Sequence, residues 1–472
     1  MISRTQFSLV YGAVLCLAAV LAGCASTSTM TLPTVDHLPA WRTPVAVASN
    51  SENLAWWEKF NDPKLGVVMR QAFESNSDVL AAAYRVNSAQ LTSGLVSANG
   101  SVGLGATASI NHSQDLRSNA TANASGANVL LSFEVDLWGK LSRQRDVAQW
   151  QAQATQNDCE SISLALSGTV ATLYWQIAQL NQLIALGEAD IDYVQKTKEI
   201  IDSKFDAGAV SGIAKAQATV SLATQRAAQQ RLTQSRIELR HAMSVLLTKP
   251  PNQGIDELAE LPAVGMPALE ASLPAEVLGK RPDLHAAELR LRASFTNIDV
   301  VRTSFYPSLS LTSGVGTGSA ELLSLTGNPV FLLGAGLTLP FIQSNTLKLN
   351  VQVSQMQFEE AVALFRQRLY TALTEVEDAL SAREQLEGAY QQELIARDQA
   401  ALAESMTETR YRSGFVEFQL WLDAKQVLRN ADRTLVNTRF SQLANEAKLY
   451  KALGASNGSP TGTCGAHEKV MR

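Results

Sequence analysis

The chain has 472 residues, of which 46% are hydrophobic and 18% charged, and a formal net charge of −5. Mild acidity without a basic cluster excludes a nucleic-acid binder. A chain this long exceeds one ordinary domain, so several domains or an internal duplication are expected.

The N-terminus reads as an export signal. Arg4 supplies the positive start, and an apolar stretch runs from about Phe7 to Leu21, too short for a spanning helix. Leu21-Ala22-Gly23-Cys24 resembles the bacterial lipobox, in which the Cys sulfur is acylated and the Cys becomes the mature N-terminus. The expectation is a signal peptide over 1–23 and a lipidated segment over 24–61. Cys24 would carry N-palmitoyl and S-diacylglycerol groups, and no other cofactor is expected. Residue 25 is Ala, not the Asp that holds such products at the inner membrane, which implies the outer membrane. Cys16 leaves with the signal; Cys159 and Cys464 are read as two unpaired thiols in preference to a disulfide.

The remainder reads as one plan written twice, at an offset of about 205 residues: repeats over 62–248 and 275–454, a Pro- and Gly-rich linker over 249–274, and a flexible tail over 455–472. Each repeat opens on a helix, with Asp78 and Asp283 placed as caps before the Ala81-Ala82 and Ala286-Ala287 pairs. Two strand-like segments follow. In the first repeat Val102, Leu104, Ala106, Ala108 and Ile110 alternate with small or polar residues, and so do Val129, Leu131, Phe133, Val135 and Leu137. In the second, Leu309, Leu311 and Val315 alternate in the same way, and Phe331, Leu333, Ala335, Leu337 and Leu339 do so again. Period-2 segments with one apolar face suit strands that meet lipid on one side and water on the other. Pro-free helical stretches then run over about 141–205 and 345–411, each on the order of 95 Å long at 1.5 Å per residue. Helices of this length belong to coiled-coil assemblies. Each turns at a glycine, Gly208 or Gly414, into a return helix that ends near Leu247 or Leu453.

The fold class expected is therefore α+β, with long coiled helical hairpins and four transmembrane strands per chain. Four strands cannot close a barrel, and open edges are not tolerated in lipid. A homotrimer would supply twelve strands, enough to leave a lumen.

Several stretches resemble the outer-membrane factor (TolC-like) family, in its lipidated branch. They are Trp56-Trp57-Glu58-Lys59-Phe60-Asn61-Asp62-Pro63, Asp136-Leu137-Trp138-Gly139-Lys140, Arg281-Pro282-Asp283-Leu284, Phe305-Tyr306-Pro307-Ser308, Leu339-Pro340-Phe341, Leu422-Asp423-Ala424 and Leu449-Tyr450-Lys451-Ala452-Leu453-Gly454. The resemblance implies a trimer with a twelve-stranded outer-membrane barrel and a periplasmic α-barrel. It also implies a passive efflux or type I secretion-like duct that takes its substrates from a periplasmic adaptor and an inner-membrane pump. Asp423 matches the Asp that narrows the family's periplasmic mouth, and Gln419 and Gln426 occupy neighbouring gate positions. The gate network departs from the family pattern: Gln426 stands where an Arg is common, and Ser211-Gly212-Ile213-Ala214 replaces an acidic stretch after the first turn.

Other constellations carry less. Gly314-Val315-Gly316-Thr317-Gly318-Ser319 invites a dinucleotide-loop reading but lacks the last glycine and a compact βαβ unit, so a barrel loop is preferred. Glu134 and Asp136 share a strand face as a catalytic pair would, and a wet lumen accounts for them equally well. His37, His112, His241, His285 and His467 show no ligand spacing. Neither catalytic nor metal-binding residues are assigned. The competing class is a structural coiled-coil lipoprotein or adhesin, which would not require strands duplicated in register.

Overall fold

A computed structural model describes residues 41, 55–263, 265–267, 279–320, 327–340, 344–456 and 464. Cys24 with the signal segment, part of the linker and most of the tail lie outside the described residues. A 3-10 turn at Trp56–Phe60 precedes α1 (Pro63–Ser75) and α2 (Ser77–Asn99), then β1 (Gly103–Gln114), β2 (Thr121–Val135), α3 (Lys140–Asp206) and α4 (Gly212–Leu246). The second repeat answers with α5 (Pro282–Thr303), β3 (Ser308–Ser319), β4 (Pro329–Thr338), α6 (Ser344–Arg412) and α7 (Phe418–Ala452). The long helices α3 and α6 have 67 and 69 residues, about 100 Å each.

Both expected caps are displaced. The α2 cap is Asn76, whose Oδ1 accepts from the Asp78 and Val79 amides at 3.0 and 3.1 Å. Asp78 lies inside the first turn, where its charge complements the helix dipole. Asp283 is likewise within the first turn of α5. It binds Arg281 through both oxygens at 3.0 and 2.8 Å, and Arg281 also reaches Glu375 Oε2 at 2.8 Å and the Ala452 carbonyl at 3.1 Å. Arg281 is thus a buried tie between the start of α5, α6 and the end of α7.

One compact unit comprises Ala89–Ala152 and Leu289–Ala363 and holds a four-stranded antiparallel sheet in the order β1-β2-β3-β4. The register Leu104↔Leu131, Val129↔Val315 and Val315↔Phe331 puts directly paired residues on one face. Following it across the sheet gathers Leu104, Val129, Leu131, Phe133, Leu309, Leu311, Phe331, Leu333 and Leu337 on that face, with Thr107, Asn128, Ser132, Ser310, Thr312 and Gly336 on the other. The run Gly314 to Ser319 lies within β3 rather than in a loop. A Cβ on Gly314 would stand 2.5 Å from the Val129 carbonyl oxygen, so the glycine permits close strand approach. In the same unit Trp138 Nε1 donates to the Pro307 carbonyl at 2.7 Å, and its ring meets Tyr306 edge-on at 5.3 Å.

The second unit takes in Val35–Ser88, Gln153–Glu288 and Leu364–Arg472. Its largest apolar cluster is built around aromatic residues. Trp56 stacks on Tyr450 at 5.4 Å and donates to Ser167 Oγ at 3.1 Å, while Phe60 packs on Trp175 at 4.9 Å. Trp56 and Trp175 are fully buried, and truncating either to Ala would cost about 3–5 kcal/mol. This unit also corrects the expectation of two unpaired thiols: Cys159 and Cys464 form a disulfide with Cα atoms 6.1 Å apart. Cys464 stands at the face of α3 that carries Cys159, packed with Ala82 and Val86 of α2.

Candidate functional site at the hairpin tips

The α3–α4 and α6–α7 hairpins turn by the same device. Gly208 and Gly414 adopt φ of +72° and +78°. The following amides, Ala209 and Phe415, bond back to the carbonyls of Lys204 and Arg410 at 2.8 and 2.9 Å. This is a Schellman closure, and its left-handed position is why a glycine stands at each tip. Ser211 then caps α4 through the Ala214 amide, whereas Glu417 before α7 makes no side-chain cap bond.

The two tips are joined by an aromatic cluster. Trp421 stacks on Tyr411 at 5.0 Å and meets Tyr193 and Phe418 edge-on at 5.8 and 5.9 Å. Ile201 and Ala218 from the first hairpin complete the packing. Trp421 Nε1 donates to buried Glu404 Oε1 at 3.1 Å. Lys425 lies 3.8 Å from the same carboxylate and 4.4 Å from the Tyr193 ring centroid. Burial raises the Tyr193 hydroxyl well above its ordinary value. It also lifts the Asp190 carboxyl, against the pull of Arg429, and pulls the Arg429 guanidinium down. Nε and Nη1 of Arg429 have no hydrogen-bond partner, and this side chain lines a void of about 10 Å³, the size of one water.

Asp423 occupies the opposite, exposed face of α7. Gln419, one turn earlier, donates Nε2 to Asp423 Oδ1 at 2.7 Å. Gln426 does not join them: its Nε2 donates to Asn430 Oδ1 at 2.8 Å and its Oε1 accepts from Arg429 Nη2 at 2.8 Å. Leu420, Asp423 and Val427 recur at helical spacing, so an acid between two exposed apolar residues forms a stripe. The stripe is uncovered in the single chain, as a face awaiting further copies would be. Sequence reasoning missed Trp421, Glu404 and Lys425. Phe418 and Trp421, three residues apart on the face opposite Asp423, were the available signal for a packed side.

The carboxylate pair expected on one strand face resolves into two structural roles, with Glu134 on β2 and Asp136 just past its end. Glu134 pairs with Lys140 at 2.7 Å. Asp136 accepts from the Leu141 and Ser142 amides at 3.0 and 2.8 Å, capping α3. His112 Nδ1 lies 2.6 Å from Asn123 Oδ1, and His285 Nε2 lies 2.7 Å from the Gly279 carbonyl. Among the described residues no three His, Cys, Asp or Glu side chains are grouped to hold a metal ion, and no helix is long and apolar enough to cross a membrane.

Comparison with known proteins agrees with this geometry. The family model described as outer membrane efflux protein matches residues 68–247 and 273–455, one match per repeat. The pyoverdine export outer membrane protein OpmQ of Pseudomonas putida is 28% identical, over 93% of this chain and 97% of its own. The toluene efflux pump outer membrane protein TtgC of Pseudomonas putida is 29% identical, over 96% and 97%. Among solved structures, the outer-membrane channel OprN superposes with a TM-score of 0.84 at 21% identity, covering 92% of this chain and all of that one. The open state of the Neisseria gonorrhoeae MtrE outer membrane channel gives 0.82 at 24%, covering 92% and 99%.

Proposed function

Because this chain belongs to the outer membrane efflux protein family, we propose that three copies close their sheets into one twelve-stranded barrel and act as the passive exit duct of a tripartite pump. The observation that carries the reading is the sheet itself. Its register gathers most of the large apolar side chains on one face, with Leu130, Val330 and Leu332 on the other, while β1 and β4 stand at its edges with unpaired backbone. In hydrocarbon every such group needs a partner. A β4 edge placed against the β1 edge of the next copy satisfies both, and four strands from each of three copies give twelve.

In this reading the helical hairpins extend into the periplasm, where an adaptor connects the tips to an inner-membrane pump that supplies energy and cargo. Asp423 and Gln419 from three copies form a polar ring at the mouth. The carboxylates repel one another and attract cations, and Leu420 and Val427 pack the copies together. Gln426, held by Arg429 and Asn430, supports the ring from behind. Cys24 carries the acyl chains that hold the N-terminal segment at the outer membrane. OpmQ and TtgC are named for different cargo, pyoverdine and toluene, at nearly equal identity to this chain. Cargo choice is accordingly assigned to the pump.

Purified in mild detergent, the protein should sediment as a trimer that falls to monomers on heating. A stable folded monomer would overturn the reading.

A further inference from the structure

The disulfide has no part in the duct reading and raises a question of order. Cys159 and Cys464 are 305 residues apart, one in the first third of α3 and the other beyond the end of α7. In the closed state both are buried, Cys159 to 1% exposure and Cys464 to 8%. They pack with Ala82 and Val86 of α2 and with Ile162. Ser163 Oγ donates to the Cys159 carbonyl at 3.0 Å and lies 3.8 Å from Cys464 Sγ. Upstream of Cys464, the Ser456 carbonyl accepts from the Trp56 amide at 3.2 Å. Ser456 is therefore fastened to the aromatic N-terminal turn, and Cys464 is fastened covalently to α3.

We infer that this chain is a client of a periplasmic dithiol–disulfide oxidoreductase, which makes the Cys159–Cys464 bond as a late covalent clamp on the C-terminal segment. The pair cannot meet until both repeats have been exported and packed, because α3 must be in place before the segment after α7 can return to it. Once seated, neither sulfur is open to a bulky oxidant, so the exchange must begin on the unseated chain. A thiolate of this chain attacks the oxidised partner's disulfide; one partner S–S bond breaks and a mixed disulfide forms. The second thiolate of this chain then displaces the partner's sulfur. Two electrons and the two thiol protons leave with the partner, which departs as a dithiol. With Cys16 in the signal segment and the Cys24 sulfur acylated in the reading above, the mature chain offers no wrong internal partner.

The test compares protein recovered from cells with and without the periplasmic thiol oxidase, using peptide mapping under non-reducing conditions and maleimide labelling after denaturation. The Cys159 and Cys464 peptides should be linked in the first case and both thiols should label in the second. Cys464→Ser should accumulate as a mixed disulfide between Cys159 and the oxidase. The Cys159→Ser/Cys464→Ser double variant needs no oxidant and controls for folding: its trimer yield should be equal in the two hosts. A pair that links equally well without the oxidase overturns the inference, and so do free thiols in both hosts. A double variant whose yield falls with the wild type would place the dependence elsewhere and sink it as well.

Discussion

Glu446 on α7 is 1% exposed, and neither carboxylate oxygen has a directed hydrogen bond. Arg383 Nε stands 2.9 Å from Oε1, and the carboxyl lines a cavity of about 440 Å³ with Arg439, Glu387, Tyr390 and Gln442. Burial outweighs the pull of Arg383 and lifts the carboxyl from 4.5 to about 7. The folded chain therefore holds this proton more tightly than the unfolded chain does. Its stabilising contribution is complete below pH 4.5 and is lost as pH rises through about 7. At about 1.4 kcal/mol for each tenfold change in proton affinity, the full effect is about 3 kcal/mol. Of this, about 2 kcal/mol should appear between roughly pH 8.5 and pH 5.5. Glu446→Gln keeps the shape and an oxygen for Arg383 but removes the titration. Urea melts in detergent, followed by fluorescence of buried Trp56 and Trp175, should show the variant gaining on the wild type by about 2 kcal/mol when pH is raised over that interval. A pH-independent difference, or a wild type that gains instead, would refute the reasoning.

Three further perturbations follow. Asp423→Ala should raise single-channel conductance or leak by removing the carboxylate ring; unchanged conductance would remove Asp423 from the gate. Leu131→Lys places a charge on the apolar face of a central strand and should cost about 2–4 kcal/mol near the bilayer midplane, read as a lower melting midpoint in vesicles; an unaltered midpoint would mean that this face does not meet lipid. Cys24→Ser should impair sorting or assembly, measured by membrane fractionation, while channels that do assemble keep wild-type conductance. A correctly sorted, fully active Ser variant would show that the lipid is dispensable.

Much of the architecture was legible because its signals are periodic and local. The long helices, expected over about 141–205 and 345–411, run over Lys140–Asp206 and Ser344–Arg412. Nothing breaks a Pro-free helix until a glycine takes the left-handed turn. The alternating segments became strands whose apolar sides share one face. The matched motifs proved to be contacts between distant segments, as Trp56 with Tyr450 and Trp138 with Tyr306. What was illegible depends on tertiary path. Asn76 displaced Asp78 as the cap because either side chain could serve and only the chain's entry angle decides between them. The Cys159–Cys464 bond could not be read from spacing, since nothing local indicates where the C-terminal segment goes. Glu404 beneath Trp421 and Glu446 beneath Arg383 look like ordinary surface acids until their helices are packed.

A passive duct conducts without any energy source of its own. Purified trimers added to a planar lipid bilayer should give discrete current steps that are linear in voltage near zero and need no nucleotide or proton gradient. A correctly folded, membrane-inserted trimer that carries no current with its tips open, as in an Asp423→Ala variant, would contradict the account.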